Sequence, residues 1–81
     1  MTERLEKMGK RAELRQERTR LETECDALRS SLRRLLPAEE DAGDLNEEKI
    51  LNTAISLNQS LVELKAIDKK LNVLNDILGD S

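Results

Sequence analysis

Side chains that carry out acid–base or nucleophilic chemistry are scarce in this sequence. Histidine is absent, so no Ser/His/Asp or Cys/His arrangement and no zinc site made of cysteine and histidine can form. Cys25, the single cysteine, lies among apolar residues at helical spacing, which favours a small buried hydrophobe over a reactive thiol. Because Gly9, Gly43 and Gly79 are isolated, no glycine-rich phosphate loop is present. The sequence therefore predicts a protein that is not an enzyme and needs no cofactor, metal or small-molecule substrate.

Acidic residues cluster just after Pro37 and form a second group that could do chemistry. The cluster comprises Glu39, Glu40, Asp41, Asp44, Glu47 and Glu48. Asp44 and Glu47 match a D-x-x-E capping box, in which the first side chain caps a helix and the second reaches back to it. We therefore predict that Asp44 caps the second helix rather than binding a metal ion, because an isolated turn would hold Mg²⁺ weakly.

The segment Gly43-Asp44-Leu45-Asn46-Glu47 also resembles the tip of the N-terminal coiled-coil hairpin of the Gre transcript-cleavage factors. In that family a G-D-L-x-E tip enters the channel of RNA polymerase and helps to hold a catalytic metal ion. By this resemblance Asp44 and Glu47 would take the two metal-holding roles, and the protein would be a transcription regulator. The residues that follow, Glu48-Lys49-Ile50-Leu51, depart from the family pattern Asn-Ala-x-Tyr.

A basic stretch near the N-terminus suggests a third function, RNA binding. Its positive residues are Lys10, Arg11, Arg15, Arg18 and Arg20. Acidic residues are interleaved with them: Glu13, Glu17, Glu22 and Glu24. Such neighbours pair along a helix, the net charge is −3, and no aromatic residue is present to stack on bases. We therefore expect no nucleic-acid partner; the alternative is a four-helix bundle that presents Arg11, Arg15 and Arg18 to the shape of an RNA helix.

Length and composition indicate the elements that hold these groups. A chain of 81 residues, 38% charged and without aromatic side chains, has the composition of long helices and coiled coils in one domain. Pro37 must end a helix, and Gly43 lies in the short segment after it. The predicted fold is all-α, an antiparallel two-helix hairpin with helix 1 over about residues 3–36, an acidic turn at 37–44 and helix 2 over about 45–78.

Helix 1 shows one apolar seam, which is strong only in its C-terminal part. Leucines recur every seven residues there, with Cys25 and Leu32 between them. Arg11 and Arg18 take the corresponding earlier positions, so the N-terminal third either turns Leu5, Met8 and Ala12 elsewhere or is less ordered. The predicted core of the hairpin comprises Leu14, Leu21, Cys25, Leu28, Leu32, Leu35, Leu57, Leu61, Leu64 and Leu71.

Helix 2 shows two apolar stripes on opposite sides. The first stripe contains the core leucines, with an irregular step between Leu61, Leu64 and Ile67 that predicts local overwinding. The second consists of Leu51, Ile55, Val62, Ala66, Val73 and Ile77. Because one facing helix covers one stripe only, we predict that a second copy covers the other and that the hairpin dimerises into a four-helix bundle.

These patterns predict a structural, adaptor or chaperone-like module that self-associates through helix 2. Its expected partners are a second copy and another protein. No membrane partner is expected, because the apolar runs are too short to span a bilayer. The lone cysteine favours a reducing compartment, so a cytoplasmic location is expected.

Overall fold

The computed structural model describes residues 2–79. It contains two long helices, α1 (Thr2–Leu35) and α2 (Glu47–Leu78), joined by a segment that includes one 3-10 turn (Ala42–Asp44). Bonds between the two helices pair the start of α1 with the end of α2, so the helices run antiparallel. The predicted all-α hairpin is confirmed, as a slender rod with extents of 62 × 20 × 14 Å.

The seam of α1 continues through the N-terminal third rather than decaying. Its spacing alternates between three and four residues from Arg4 to Leu35, with basic side chains at several early positions. Arg4 donates to the backbone oxygen of Leu78 at 3.2 Å, and Arg11 donates to the Oδ1 atom of Asn75 at 3.4 Å. Long basic side chains can lie along the partner helix and still reach a polar group, so these positions hold α2 without apolar residues.

Leu5, Met8 and Ala12 lie on another face of α1 and are exposed. Of the two outcomes predicted for the N-terminal third, the structure shows the first, in which the apolar side turns away from α2. Residues 2–12 are helical, and Met1 lies outside the described residues. That the N-terminal third of α1 is less ordered than the rest stays a prediction, which amide hydrogen exchange would test.

The seam of α2 is regular, and the overwinding predicted between Leu61 and Ile67 is wrong. Ser60 is buried, with 7% of its surface exposed, whereas Leu61 is only partly buried. When Ser60 and Thr53 count as seam positions, the spacing alternates between three and four residues throughout. The seam of α2 consists of Ile50, Thr53, Leu57, Ser60, Leu64, Ile67, Leu71, Leu74 and Leu78.

The tightest part of the core extends from the middle of the rod toward the end away from the turn. Leu14, Leu21, Ile67 and Leu71 form a buried cluster, with Leu64 and Leu74 packed against it. Leu21 is the most buried of these, at 1% exposed. Cys25 is also buried, as a free thiol. The remaining predicted core residues are partly buried: Leu28, Leu32, Leu35, Leu57 and Leu61.

The end of α2 follows the prediction, whereas its start does not. Gly79 adopts a left-handed conformation with φ 80°, and its N–H bonds to the carbonyl oxygens of Asn75 and Asp76, as expected of a glycine after a helix. The predicted Asp44 cap is wrong, because Asn46 is the N-cap and its side chain accepts a hydrogen bond from the Lys49 N–H at 3.1 Å.

Candidate interaction surface

The largest exposed apolar feature of the hairpin is the second stripe of α2, called here the outer stripe. Leu51 and Val62 are each 60% exposed, and Val73 and Ile77 are more than half exposed. Ile55 and Ala66 are exposed as well. The outer stripe is the set Leu51, Ile55, Val62, Ala66, Val73 and Ile77, so the structure leaves every predicted interface residue open to solvent in the isolated chain.

The outer stripe repeats every 11 residues, a regularity that the sequence analysis missed. Apolar pairs spaced by four residues begin at Leu51, Val62 and Val73. An 11-residue repeat drifts around a helix in the direction opposite to a seven-residue repeat. The seam follows the seven-residue repeat, so α1 can cover the seam along its whole length but cannot also cover the outer stripe. The signal was available as the equal spacing of the three pairs.

The outer stripe comes closer to α1 near the end of the rod away from the turn. There a groove of about 380 Å³ runs between the helices, called here the lysine groove. It is lined by Lys10, Leu14, Lys69, Lys70, Val73 and Leu74. Within residues 2–79, none of its three lysines forms an ion pair or hydrogen bond. The groove therefore combines an apolar floor with unpaired positive charge.

The acidic residues of the turn region are exposed at the opposite end of the rod. Asp44 ends the 3-10 turn and Glu47 is the first residue of α2, so the two belong to different elements and form no capping box. Over residues 2–79 no three metal-ligating side chains come together. The two residues that the Gre resemblance would assign to metal binding, Asp44 and Glu47, thus lie in separate elements of the turn region.

Of the three arginines proposed for RNA binding, Arg11 and Arg18 bond to α2, whereas Arg15 is exposed. Arg18 bonds to Asp68 of α2 at 2.5 Å and also to Glu22. Arg20 pairs with Glu17 at 2.5 Å and with Glu24 at 3.3 Å. The hydrogen bond with Asp68 raises the pKa of Arg18, and the hydrogen bond with Arg20 lowers the pKa of Glu17. The Arg18–Asp68 pair joins the basic face to α2 and helps to set the register of the hairpin, whereas the other pairs lie within α1.

Comparison with known proteins adds no assignment to this geometry. No protein-family model matches the chain, and neither a curated protein nor a solved structure matches it. Neither α1 nor α2 contains a stretch that is both long and apolar enough to cross a membrane. The outer stripe, the lysine groove and the acidic turn are thus the surface features that could bind a partner.

Proposed function

We propose that this chain is a self-associating helical module with a structural, adaptor or chaperone-like role, and that the outer stripe is its contact surface. The observation that carries the proposal is the exposure of a regular apolar stripe along α2. Isolated apolar residues on a surface are ordinary, but a contiguous apolar patch on a small protein marks an interaction site. Covering each large aliphatic side chain would contribute about 1.5–3 kcal/mol.

The shape of the hairpin supports self-association independently. Its radius of gyration is 18.0 Å, whereas a compact domain of this length has about 12 Å. Its accessible surface is 6346 Å², about 1,400 Å² more than the roughly 4,900 Å² of a folded monomer of this mass. A standard interface covers about 800 Å² on each partner. The surplus surface is thus large enough for a stable contact along the rod.

A second copy is the occupant that these features favour. An identical chain brings an identical stripe, and symmetric pairs are the commonest assemblies of soluble proteins. Two hairpins joined through α2 would form a four-helix bundle. The non-enzymatic part of the proposal is supported by the lack of histidine in the sequence.

Co-purification of two differently tagged copies tests this proposal. The full chain is produced with and without an affinity tag in the same cells, and the untagged copy is measured in the purified fraction. We expect the untagged copy to be retained, to be lost with Val62→Asp in both copies, and to be kept with Ser30→Asp. Ser30 is exposed on α1 and lies outside its seam, so that control adds the same charge away from the proposed contact. Failure of the unaltered chains to co-purify, or equal retention of both variants, would contradict the proposal.

A further inference from the structure

We infer that the two copies pack antiparallel, with the acidic turn of each lying on the lysine groove of the other. This inference rests on the self-association proposed above and adds the orientation and register of the contact. It places Asp41, Asp44, Glu47 and Glu48 of one copy beside Lys10, Lys69 and Lys70 of the second copy.

The outer stripe by itself permits more than one arrangement. Successive residues of the stripe are separated by four, seven, four, seven and four positions. This order of spacings is the same when α2 is read in the opposite direction. A parallel copy and an antiparallel copy can therefore both place apolar residues opposite apolar residues. Among antiparallel arrangements, the 11-residue repeat allows either Val62 to face Ala66 or Ile55 to face Val62. Another property of the rod must decide between them.

Charge is divided unequally along the rod. Two bonds between the helices, Arg18–Asp68 and Arg11–Asn75, set the register of the hairpin. They are separated by seven residues on α1 and by seven on α2, so residue 20 lies level with residue 66. The half beyond that level, residues 2–20 and 66–79, has nine basic and six acidic residues, a net charge of +3. Residues 21–65 have five basic and ten acidic residues, a net charge of −5. Parallel copies would bring like charges together, and antiparallel copies bring opposite charges together.

The lysine groove selects the register of the antiparallel pair. When Ile55 of one copy faces Val62 of the other, Glu47 and Glu48 at the start of α2 lie level with Lys70 and Lys69 of the second copy, and the turn segment just before them carries Asp41 and Asp44. These four acids then meet the groove whose lysines have no partner within the described residues. In the alternative register, with Val62 facing Ala66, the acidic segment is displaced by 11 residues, or about 16 Å along the helix. Electrostatic complementarity of this kind sets orientation and register more than affinity.

In this register four residues of the outer stripe face one another; the alternative register pairs all six, but only this register brings the acidic turn to the lysine groove. Leu51 faces Ala66 of the second copy and Ile55 faces Val62, so the two-fold axis passes near Asn58 and Gln59. Val73, which lines the lysine groove, lies near the turn segment that precedes α2 of the second copy. The acidic turn of the second copy then covers both the lysines and the apolar side chains that line the groove.

Cross-linking of single-cysteine variants tests the orientation. In the Cys25→Ala background, one chain carries Lys10→Cys and another carries Gly43→Cys. Lys10 is exposed, and a Cβ atom at Gly43 would meet nothing within 4 Å, so both variants should keep the fold. With a short bis-maleimide we expect the mixed pair to cross-link and each variant alone to give little product.

The possible results separate this inference from the proposed function. Cross-links within each single variant, at a dimeric mass, would overturn the antiparallel arrangement and leave self-association intact. A dimeric mass without any cross-link would overturn the register. A monomeric mass would overturn both.

Charge reversal gives a second test that does not depend on cross-linking. Lys69→Glu with Lys70→Glu should weaken self-association about tenfold or more, because the reversed groove repels the acidic turn. Asp41→Lys with Asp44→Lys should weaken it similarly, and mixing the two variants should restore binding. Added salt should weaken the unaltered pair, because it screens attraction. Unchanged affinity of each variant alone, or tighter binding in high salt, would overturn the inference.

Discussion

Helix α2 carries two apolar faces with different roles. One packs against α1 and stabilises the hairpin, and the other is exposed and available to a partner. The seam repeats every seven residues and accepts polar residues at Thr53 and Ser60. The outer stripe repeats every 11 residues and is open to solvent. The first repeat follows the left-handed winding of two paired helices, whereas the second drifts in the other direction. A single partner helix therefore satisfies the seam only, and the outer stripe requires a further partner.

Ser60 shows why the seam is decided by register rather than by the hydrophobicity of each residue. Leu61 is the more apolar neighbour, yet it is partly buried while Ser60 is buried. Shifting the helix to bury Leu61 would move Ile67, Leu71 and Leu78 out of alignment with α1. The gain at one position is smaller than the loss at three, since each buried aliphatic contributes about 1.5–3 kcal/mol.

The largest effect is expected from removing a large side chain in the seam. Leu21→Ala should lower the free energy of unfolding by about 2–5 kcal/mol, because it opens a cavity at the most buried position of the core. Urea unfolding followed by circular dichroism would measure this loss. The matched variant Leu5→Ala, on the exposed face of α1, should change stability by less than about 0.5 kcal/mol. Similar losses for both variants would contradict the assignment of the core.

A substitution in the outer stripe should break association and spare the helices. Val62→Asp places an unpaired carboxylate in the proposed contact, which is costly to bury, and should weaken the oligomer at least tenfold. Light scattering gives the mass, and circular dichroism checks that helicity is kept. If Val62→Asp lost its helices together with its association, the two faces of α2 would not be separable.

The start of α2 provides a smaller and more local test. Asn46→Ala should lower the free energy of unfolding by about 0.5–2 kcal/mol, because it removes the side-chain acceptor for the Lys49 N–H. Asp44→Ala should leave stability nearly unchanged, since Asp44 lies outside α2. Thermal unfolding of both variants would decide which residue caps the helix, and the reverse order of effects would restore the predicted capping box.

The smallest expected effect concerns pH and the ion pair between Glu17 and Arg20. The pKa of Glu17 is lowered from 4.5, so the stabilisation from this pair is complete above about pH 4.5 and is lost as the pH falls through the lowered pKa. Glu17→Gln should therefore lose slightly less stability than the parent chain between pH 7 and pH 3. Thermal midpoints at the two pH values measure the difference, and a larger loss in Glu17→Gln would contradict it.

Much of the fold could be predicted from the sequence, because Pro37 and the leucine spacing define two amphipathic helices. The six residues of the outer stripe were also identified from spacing alone, and the structure leaves them exposed. The basic seam positions were misread, because spacing does not show that Arg4, Arg11 and Arg18 reach acceptors on α2. The helix cap was misread as well, since Asp44 and Asn46 are both good cap residues and the 3-10 turn before α2 decides between them.

Sedimentation equilibrium of the full chain at about 10 μM tests the central claim most directly, since micromolar dissociation constants are ordinary for specific contacts. The claim is that α2 is buried on two faces, one against α1 and one against a second copy. For a chain of 9.2 kDa, the account predicts a mass twice that of the monomer, which Val62→Asp returns to the monomer value. A monomeric mass for the unaltered chain at this concentration would contradict it.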